Sequence, residues 1–347
     1  ECTFDQGGYF IINGGERAIV SQEMITENKM FVFQGGRGSK YIYLGELKSA
    51  PERKQGFVRG FAIKIMKTKE KGNVIRVNIP KIRMDIPLAV LFRAIGFEKD
   101  EEIVRMCIGD LDGRYADAFW KILKPTLMEC SGEYGDDDIH TQGKAVEKLS
   151  ENTSLSPKIL LPERMSFVRK VLRDDFLPHL GDSPIKKGWF LGYACNRILR
   201  CMVGLDGYDD RDSYENKRAE LAGGLMTRLF YQYWSSKISR DIRSSVQKEL
   251  TSGAWRASRS YTQIVNATNI FKIIKTTTID AGLKYSLATG NFGMKNTIGK
   301  TGVSQVLTRL NRNGTVSHLR RLTTPVEKSG KLVAPRKLHP SSWGVVC

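Results

Sequence analysis

Three aspartates fall within four residues at Asp209, Asp210 and Asp212, with Arg211 between them. Carboxylates that close together could hold Mg²⁺ for phosphoryl transfer, because hard cations take oxygen ligands. The same residues also suit a helix start, where side-chain oxygens accept from the first free N–H groups and Arg211, Lys217 and Arg218 balance the charge. A long stretch with Leu221, Leu225, Leu229, Ile238, Ile242 and Val246 at helical spacing follows, so the helix start is the preferred reading. Gly35-Gly36-Arg37-Gly38-Ser39-Lys40 invites a phosphate-loop reading, but it lacks the G-x-x-x-x-G-K-[ST] spacing and no amphipathic helix follows it; a loop between strands is expected. The cysteines, at positions 2, 107, 130, 195, 201 and 347, form no C-x-x-C pair and have no His at ligand spacing. No zinc site is expected from them, and thiols so scattered suit a reducing compartment.

Charge carries the stronger signal. The net charge is +18, and from Thr251 onward fifteen Lys and Arg face only Asp280 and Glu327, so thirteen of those positive charges lie in the last 97 residues. Gly282–Cys347 is punctuated by glycines, with polar residues between short apolar runs. Such a segment is poor at burying a core of its own and well suited to lying along a polyanion while a larger body holds it. Nucleic acid is the expected partner. A stand-alone basic scaffold that binds nucleic acid without catalysis would satisfy the same composition.

The body that must hold it is a mixed α+β chain. At 347 residues it exceeds one core, so two or three domains are expected, and 41% hydrophobic residues suffice to build them. No run approaches the roughly 20 apolar residues that cross a bilayer, and no membrane partner is expected. Residues 7 to 33 read as strands, with Asn13-Gly14 as a hairpin turn between apolar runs. Period-two patterning resumes in FVRGFAIKIMKTKEKGNVIRVNIPKI, with the turn at Glu70–Asn73. Helices are predicted from Leu88 (Leu91, Phe92 and Ile95 on one face), over Glu101–Ile108, from Pro162 to near Pro178, and over Trp189–Leu205; Gly132–Asp138 reads as a surface loop. The first residue is Glu, and the opening words resemble the middle of a fold, so a fragment of a longer protein is expected.

Five blocks carry a resemblance: ECTFDQGGYFIINGGERAIVSQE, DDRDSYENKRAELAG, GLKYSLATGNFG, TGVSQVLTRLNRNGTVSHLRR and PVEKSGKLVAPRKLHPSSWGVVC. In this order they resemble the second-largest, β-like subunit of multisubunit DNA-directed RNA polymerase. The last block and Ser317-His318-Leu319-Arg320-Arg321 look most like the RNA polymerase II form, with an archaeal-type or large-DNA-virus subunit as the alternative. The resemblance implies a multidomain α+β architecture of mixed antiparallel sheets and helices: 1–34 as the first part of the protrusion, 35–207 as the lobe inserted into it, 208–278 as the second part of the protrusion, and 279–347 as the fork region.

It further implies that the largest subunit, a different chain, holds the catalytic Mg²⁺, that Asp209, Asp210 and Asp212 are structural, and that the Zn²⁺ site of the full-length subunit lies outside this segment. The implied partners are the largest subunit and other polymerase subunits, template DNA, the RNA–DNA hybrid and NTPs; the implied location is the nucleus, or a viral factory or virion for a viral enzyme. No catalytic residue is expected here. Nucleic-acid and nucleotide contacts are expected from Lys284 and Asn291 near the hybrid, and from Gln305, His318, Arg320 and Arg321, which match a Gln and a His-x-Arg-Arg on the bacterial transcript path where rifampicin binds. Lys331, Arg336 and Lys337 are expected beside downstream DNA. His318 equally suits a neutral packing role, and one of Arg320 and Arg321 suits an ion pair to another chain. Phe292 stands where the family commonly has Trp.

Overall fold

The structure, a computed structural model, describes residues 3–36, 38–51, 58–68, 72–131, 138–156, 158–251, 270–275, 277–293, 299–324 and 338–346. The expected turn at Glu70 and Lys71, most of the loop 132–138, and Lys331, Arg336 and Lys337 lie outside them. The fold is α+β, and the chain packs as two units, one built from Glu1–Ile25 and Asp212–Cys347 and the other from Thr26–Arg211. Three short strands open the chain: β1 (Phe10–Ile12), β2 (Gly15–Ile19) and β3 (Ser21–Ile25). Asn13 and Gly14 both take positive φ and join β1 to β2 in register Ile12↔Gly15, the two-residue hairpin that the Asn-Gly pair favours.

Thr26–Arg211 is built on a five-stranded antiparallel sheet of β4 (Phe31–Gln34), β5 (Tyr41–Ser49), β6 (Arg59–Thr68), β7 (Gly72–Asn78) and β8 (Ile86–Pro87), paired in sequence order. Alternate residues of β6, Phe61, Ile63 and Ile65, turn inward, as a half-buried strand requires. Among the described residues six α-helices complete the unit: α1 (Leu88–Ile95), α2 (Asp100–Ile108), α3 (Ala116–Met128), α4 (Gln142–Glu151), α5 (Leu161–Lys170) and α6 (Pro184–Val203). The periodicity from Leu88 is correct, yet α1 is buried on all sides, including Arg93, whose guanidinium donates to the carbonyls of Cys130 and Ile139 and pairs with Asp100 at 2.5 Å. Helix α6 starts five residues before the expected Trp189, because Ser183 caps it and Pro184 occupies its first turn. Helices α3 and α4 were not anticipated. Cys107, Cys130, Cys195 and Cys201 are buried free thiols of this core, with burial pushing Cys130 up to about 11.

By packing, this unit runs from Thr26 to Arg211. Strand β4 pairs with β5, and Asp209 closes onto β4: its N–H donates to the Val32 carbonyl at 2.8 Å and its carboxylate accepts from the Val32 N–H at 2.9 Å. Arg211 pairs with Glu46 at 2.7 Å and lies over the Phe33 ring.

The chain then returns to its opening strands. No helix starts at the aspartates. Residues 217–220 form β9 (Lys217–Glu220), captured antiparallel by β3, because an open strand edge satisfies more backbone groups than an isolated helical turn there. The expected long helix is α7 (Ala222–Gln232), continued by a π-helical stretch over Tyr233–Ser239 into α8 (Arg240–Thr251). Beyond them come the short α9 (Ile270–Ile273), α10 (Thr278–Thr289), β10 (Ser304–Val306), α11 (Arg312–Leu319) and β11 (Leu322–Thr323). The unit's sheets run β1-β2-β10 and β11-β3-β9. Its core is small: Ile19, Leu225, Leu229, Tyr233, Leu287, Phe292 and Val303. Among the described residues no helix is long and apolar enough to cross a membrane.

Candidate nucleic-acid interface

The opening of the basic segment Gly282–Cys347, GLKYSLATG, is mostly helical. It lies on α10, which ends at Gly290 with φ 79°, the left-handed position that glycine fills without strain; a side chain there would also strike the Ser304 carbonyl, 2.5 Å from an added Cβ. Lys284 stands on the exposed face of α10, paired with Asp280 one turn earlier at 2.9 Å. Asn291 is exposed, just past the cap, with its N–H donating to the Thr289 hydroxyl at 3.3 Å. Phe292 is in the core, where an aromatic of either kind buries its ring, and it exchanges backbone hydrogen bonds with Lys300.

Strand β10 adds to the hairpin against β2, with Gln305 opposite Ala18. The chain then turns into α11, capped by Asn311, whose side chain accepts from the Gly314 N–H. The Thr315 hydroxyl donates back to the carbonyls of Thr308 and Asn311 and fixes the helix against the turn. That brings His318 to Gln305. The imidazole is 2% exposed; Nδ1 accepts from the Thr308 N–H at 3.2 Å and Nε2 lies 3.1 Å from the Gln305 Oε1. Burial, then the nearby Arg321 charge, lowers the His318 pKa below the usual imidazole value, so the ring is neutral near pH 7. Its place is inside the protein. Gln305, half-buried, reaches further out and also donates to the Gly302 carbonyl at 3.2 Å.

Arg320 and Arg321 follow α11 and are both exposed; among the described residues neither has a carboxylate within ion-pair distance. Arg309, five residues upstream of Gly314, is committed: it forks onto Glu16 at 2.8 and 3.0 Å, reaches Asp5 at 3.6 Å and lies 4.9 Å from the Tyr9 ring. These partners, Glu16 first, raise its pKa further above the ordinary guanidinium value. Among the described residues, Arg309 is thus bound by carboxylates while Arg320 and Arg321 are not.

Two buried carboxylates, which sequence reasoning missed, hold the framework. Glu220 on β9 takes Lys300 at 2.6 Å and Arg228 at 2.8 Å. Glu23 on β3 takes Lys217 at 2.9 Å, the Tyr214 hydroxyl at 3.1 Å and the Thr324 hydroxyl at 3.4 Å. Glu220 and Lys300 stand 80 residues apart, and no local pattern announces such a pair. Among the described residues no three His, Cys, Asp or Glu side chains gather where a metal could be held. Asp209 already spends its oxygens on the Val32 N–H and Arg197, a poor fit to a Mg²⁺ ligand.

Comparison with known proteins decides the family. The model described as RNA polymerase Rpb2, domain 2, matches residues 58–220, and that of Rpb2, domain 3, matches 305–347. The chain belongs to the Rpb2 family. Over its whole length it is 39% identical to DNA-directed RNA polymerase II subunit 2 of Arabidopsis thaliana and 35% identical to RNA polymerase II subunit RPB2 of Schizosaccharomyces pombe. Over 99% of its length it is 30% identical to subunit Rpo2 of Sulfolobus acidocaldarius. The chain spans 27 to 28% of the length of these Rpb2-family relatives. Rpb2 domain 2 falls mostly on Thr26–Arg211, and Rpb2 domain 3 begins at Gln305, the first residue of the Gln305–His318 pair.

Proposed function

We propose that this chain is part of a nuclear, RNA polymerase II type DNA-directed RNA polymerase, and that it shapes the cleft along which template DNA, RNA–DNA hybrid and NTPs lie. The observation that carries the reading is the match to RNA polymerase II second subunits across all of the chain. Thr26–Arg211 then corresponds to the lobe, and the other unit to the protrusion and fork. Exposed Arg320 and Arg321, without a carboxylate partner among the described residues, supply positive charge to phosphate oxygens, Gln305 and Asn291 offer amide groups to sugars and base edges, and Lys284 lies near the hybrid. Lys331, Arg336 and Lys337 are assigned to downstream DNA on sequence grounds. The reaction's Mg²⁺ is assigned to the largest subunit, and the subunit's Zn²⁺ to a region beyond this segment. The part these residues play is to neutralise and align charged strands, which is the protein's main task in phosphoryl transfer.

The test is made in the assembled polymerase. The tagged subunit that contains this segment should co-purify with the largest subunit and support templated RNA synthesis from NTPs, and Arg336→Ala should slow elongation. Removing Arg320 and Arg321 together should lower the salt slope of nucleic-acid binding by about 2, one for each phosphate contact. An isolated chain that binds nucleic acid tightly, with a steep salt slope and no co-purifying subunits, would instead establish the stand-alone scaffold.

A further inference from the structure

We infer that His318 is a positioning residue for Gln305: it fixes the amide so that the site meets nucleic acid with a hydrogen-bond donor. The inference rests on the reading of Gln305 as a nucleic-acid contact. The two nitrogens of the His318 ring face different partners. Its Nδ1 faces the Thr308 N–H at 3.2 Å, and a backbone N–H can only donate, so Nδ1 carries no hydrogen. A neutral ring then carries its hydrogen on Nε2, which donates to the Gln305 Oε1 at 3.1 Å. The other end of the amide gives the same answer independently, because its nitrogen donates to the Gly302 carbonyl at 3.2 Å and a carbonyl can only accept. Two anchors of opposite polarity therefore select one orientation.

That orientation has a chemical consequence. The amide oxygen is turned to the buried ring, one amide hydrogen goes to Gly302, and the second is left to donate. The site is thus matched to an oxygen acceptor: a ribose hydroxyl, a phosphate oxygen or a base carbonyl. A freely rotating Gln would accept as readily as donate. The ring itself cannot reach solvent at 2% exposure, so it acts only through Gln305. It is held in turn by the capped helix, with Thr315 tying α11 to Thr308, the residue whose N–H fixes the tautomer.

A double-mutant cycle in the complete polymerase tests this, read as the dissociation rate of halted elongation complexes and as KM against kcat for nucleotide addition. Gln305→Ala should speed dissociation about 2- to 10-fold, the range of one hydrogen bond. His318→Phe, which keeps a ring and loses both bonds, should reproduce that change, and the double variant should be no worse than Gln305→Ala alone. His318→Gln, which can still donate near Nε2, should recover part of the loss. His318→Asn can accept from Thr308 but falls short of Gln305, so it should behave like His318→Phe and replaces it if that variant does not assemble. Substituting 2′-deoxy, methylphosphonate or carbonyl-lacking base positions in the nucleic acid identifies the acceptor as the one whose removal abolishes the effect of Gln305→Ala. Additive effects in the double variant, or silent His318 variants beside a sensitive Gln305→Ala, overturn the inference and leave the contact standing. A silent Gln305→Ala overturns both.

Discussion

In Thr26–Arg211 a large apolar core draws on the sheet and the helices and encloses isolated charges such as Arg93 and Lys187, whereas in the unit built from the chain's two ends the apolar core is small and the buried carboxylates Glu23 and Glu220 stand beside it. The first unit buries Leu91, Phe92, Ile103, Leu123, Leu191 and Ile198 almost completely. In the second, Glu23 and Glu220 tie β3, β9 and the segment around Lys300 together. The difference teaches how a basic surface is supported. The unit that presents Arg320 and Arg321 has little apolar burial, and its strands β3 and β9 are braced by the buried acids Glu23 and Glu220.

Mutation can break that contrast, and the largest effect is expected in the apolar unit. Phe92→Ala removes a fully buried ring packed edge-on against Phe97 and should cost about 3–5 kcal/mol, measured by chemical or thermal unfolding. Glu220→Gln keeps the shape and removes the charge between Lys300 and Arg228. Because both cations are about half exposed and can return to water, the expected cost is smaller, about 1–2 kcal/mol. A loss greater than that of Phe92→Ala would show that the ionic brace, not the small core, carries this unit.

The two units should also part company in alkali. Lys187 is buried, its amine donating to the carbonyls of Leu172 and Arg173, and burial lowers its pKa to about 8 from 10.5. The folded state therefore releases this proton first, and Thr26–Arg211 should gain stability from this group as pH rises between about 8 and 10.5, and lose it as pH falls through 8. Tyr214 runs the other way. Burial, then the Glu23 charge, raises its pKa above 10, so its contribution is present below 10 and is lost as pH rises through the raised value. Unfolding followed by a probe in each unit from pH 7 to 11 separates the two, and Lys187→Met should flatten the first response.

Acid should weaken the candidate interface through His318. Its pKa is depressed in the fold, so the neutral ring's contribution is full above about 6.5 and declines as pH falls toward the lower folded value. His318→Gln should remove that part of the slope. The smallest effect belongs to Lys284→Ala, which breaks only an exposed pair on α10. Stability should change by less than about 0.5 kcal/mol, and any larger deficit in transcription then reports nucleic-acid contact.

Much of the fold is legible because local geometry writes it down. Asn13-Gly14 specified its hairpin, Pro184 and Ser183 marked a helix start that the apolar run alone put too late, and the spacing from Leu88 announced α1. The aspartates misled for a reason that is also physical. Carboxylates at a helix start and a carboxylate closing onto a strand look alike in sequence, and only the strand edge offered by β3 turned residues 217–220 away from a helix. GLKYSLATG hid α10 because a helix only partly buried needs no continuous apolar face.

By itself the sequence determined the opening hairpin, the strands around Phe61 and Val77, the helix from Leu88, the crowding of positive charge into the last third, and, through the resemblance, the grouping of Gln305 with His318. Tertiary structure alone decided which cations remain available. Arg309 and Arg320 are indistinguishable as residues, yet Arg309 is held by Glu16, 293 positions away, and Arg320 is free of any carboxylate among the described residues. Periodicity reports which face of an element is buried; it does not report what lies opposite. Whether a charge is a brace or a binding group depends on that opposite partner, and so does whether a histidine meets the ligand or only steadies the residue that does.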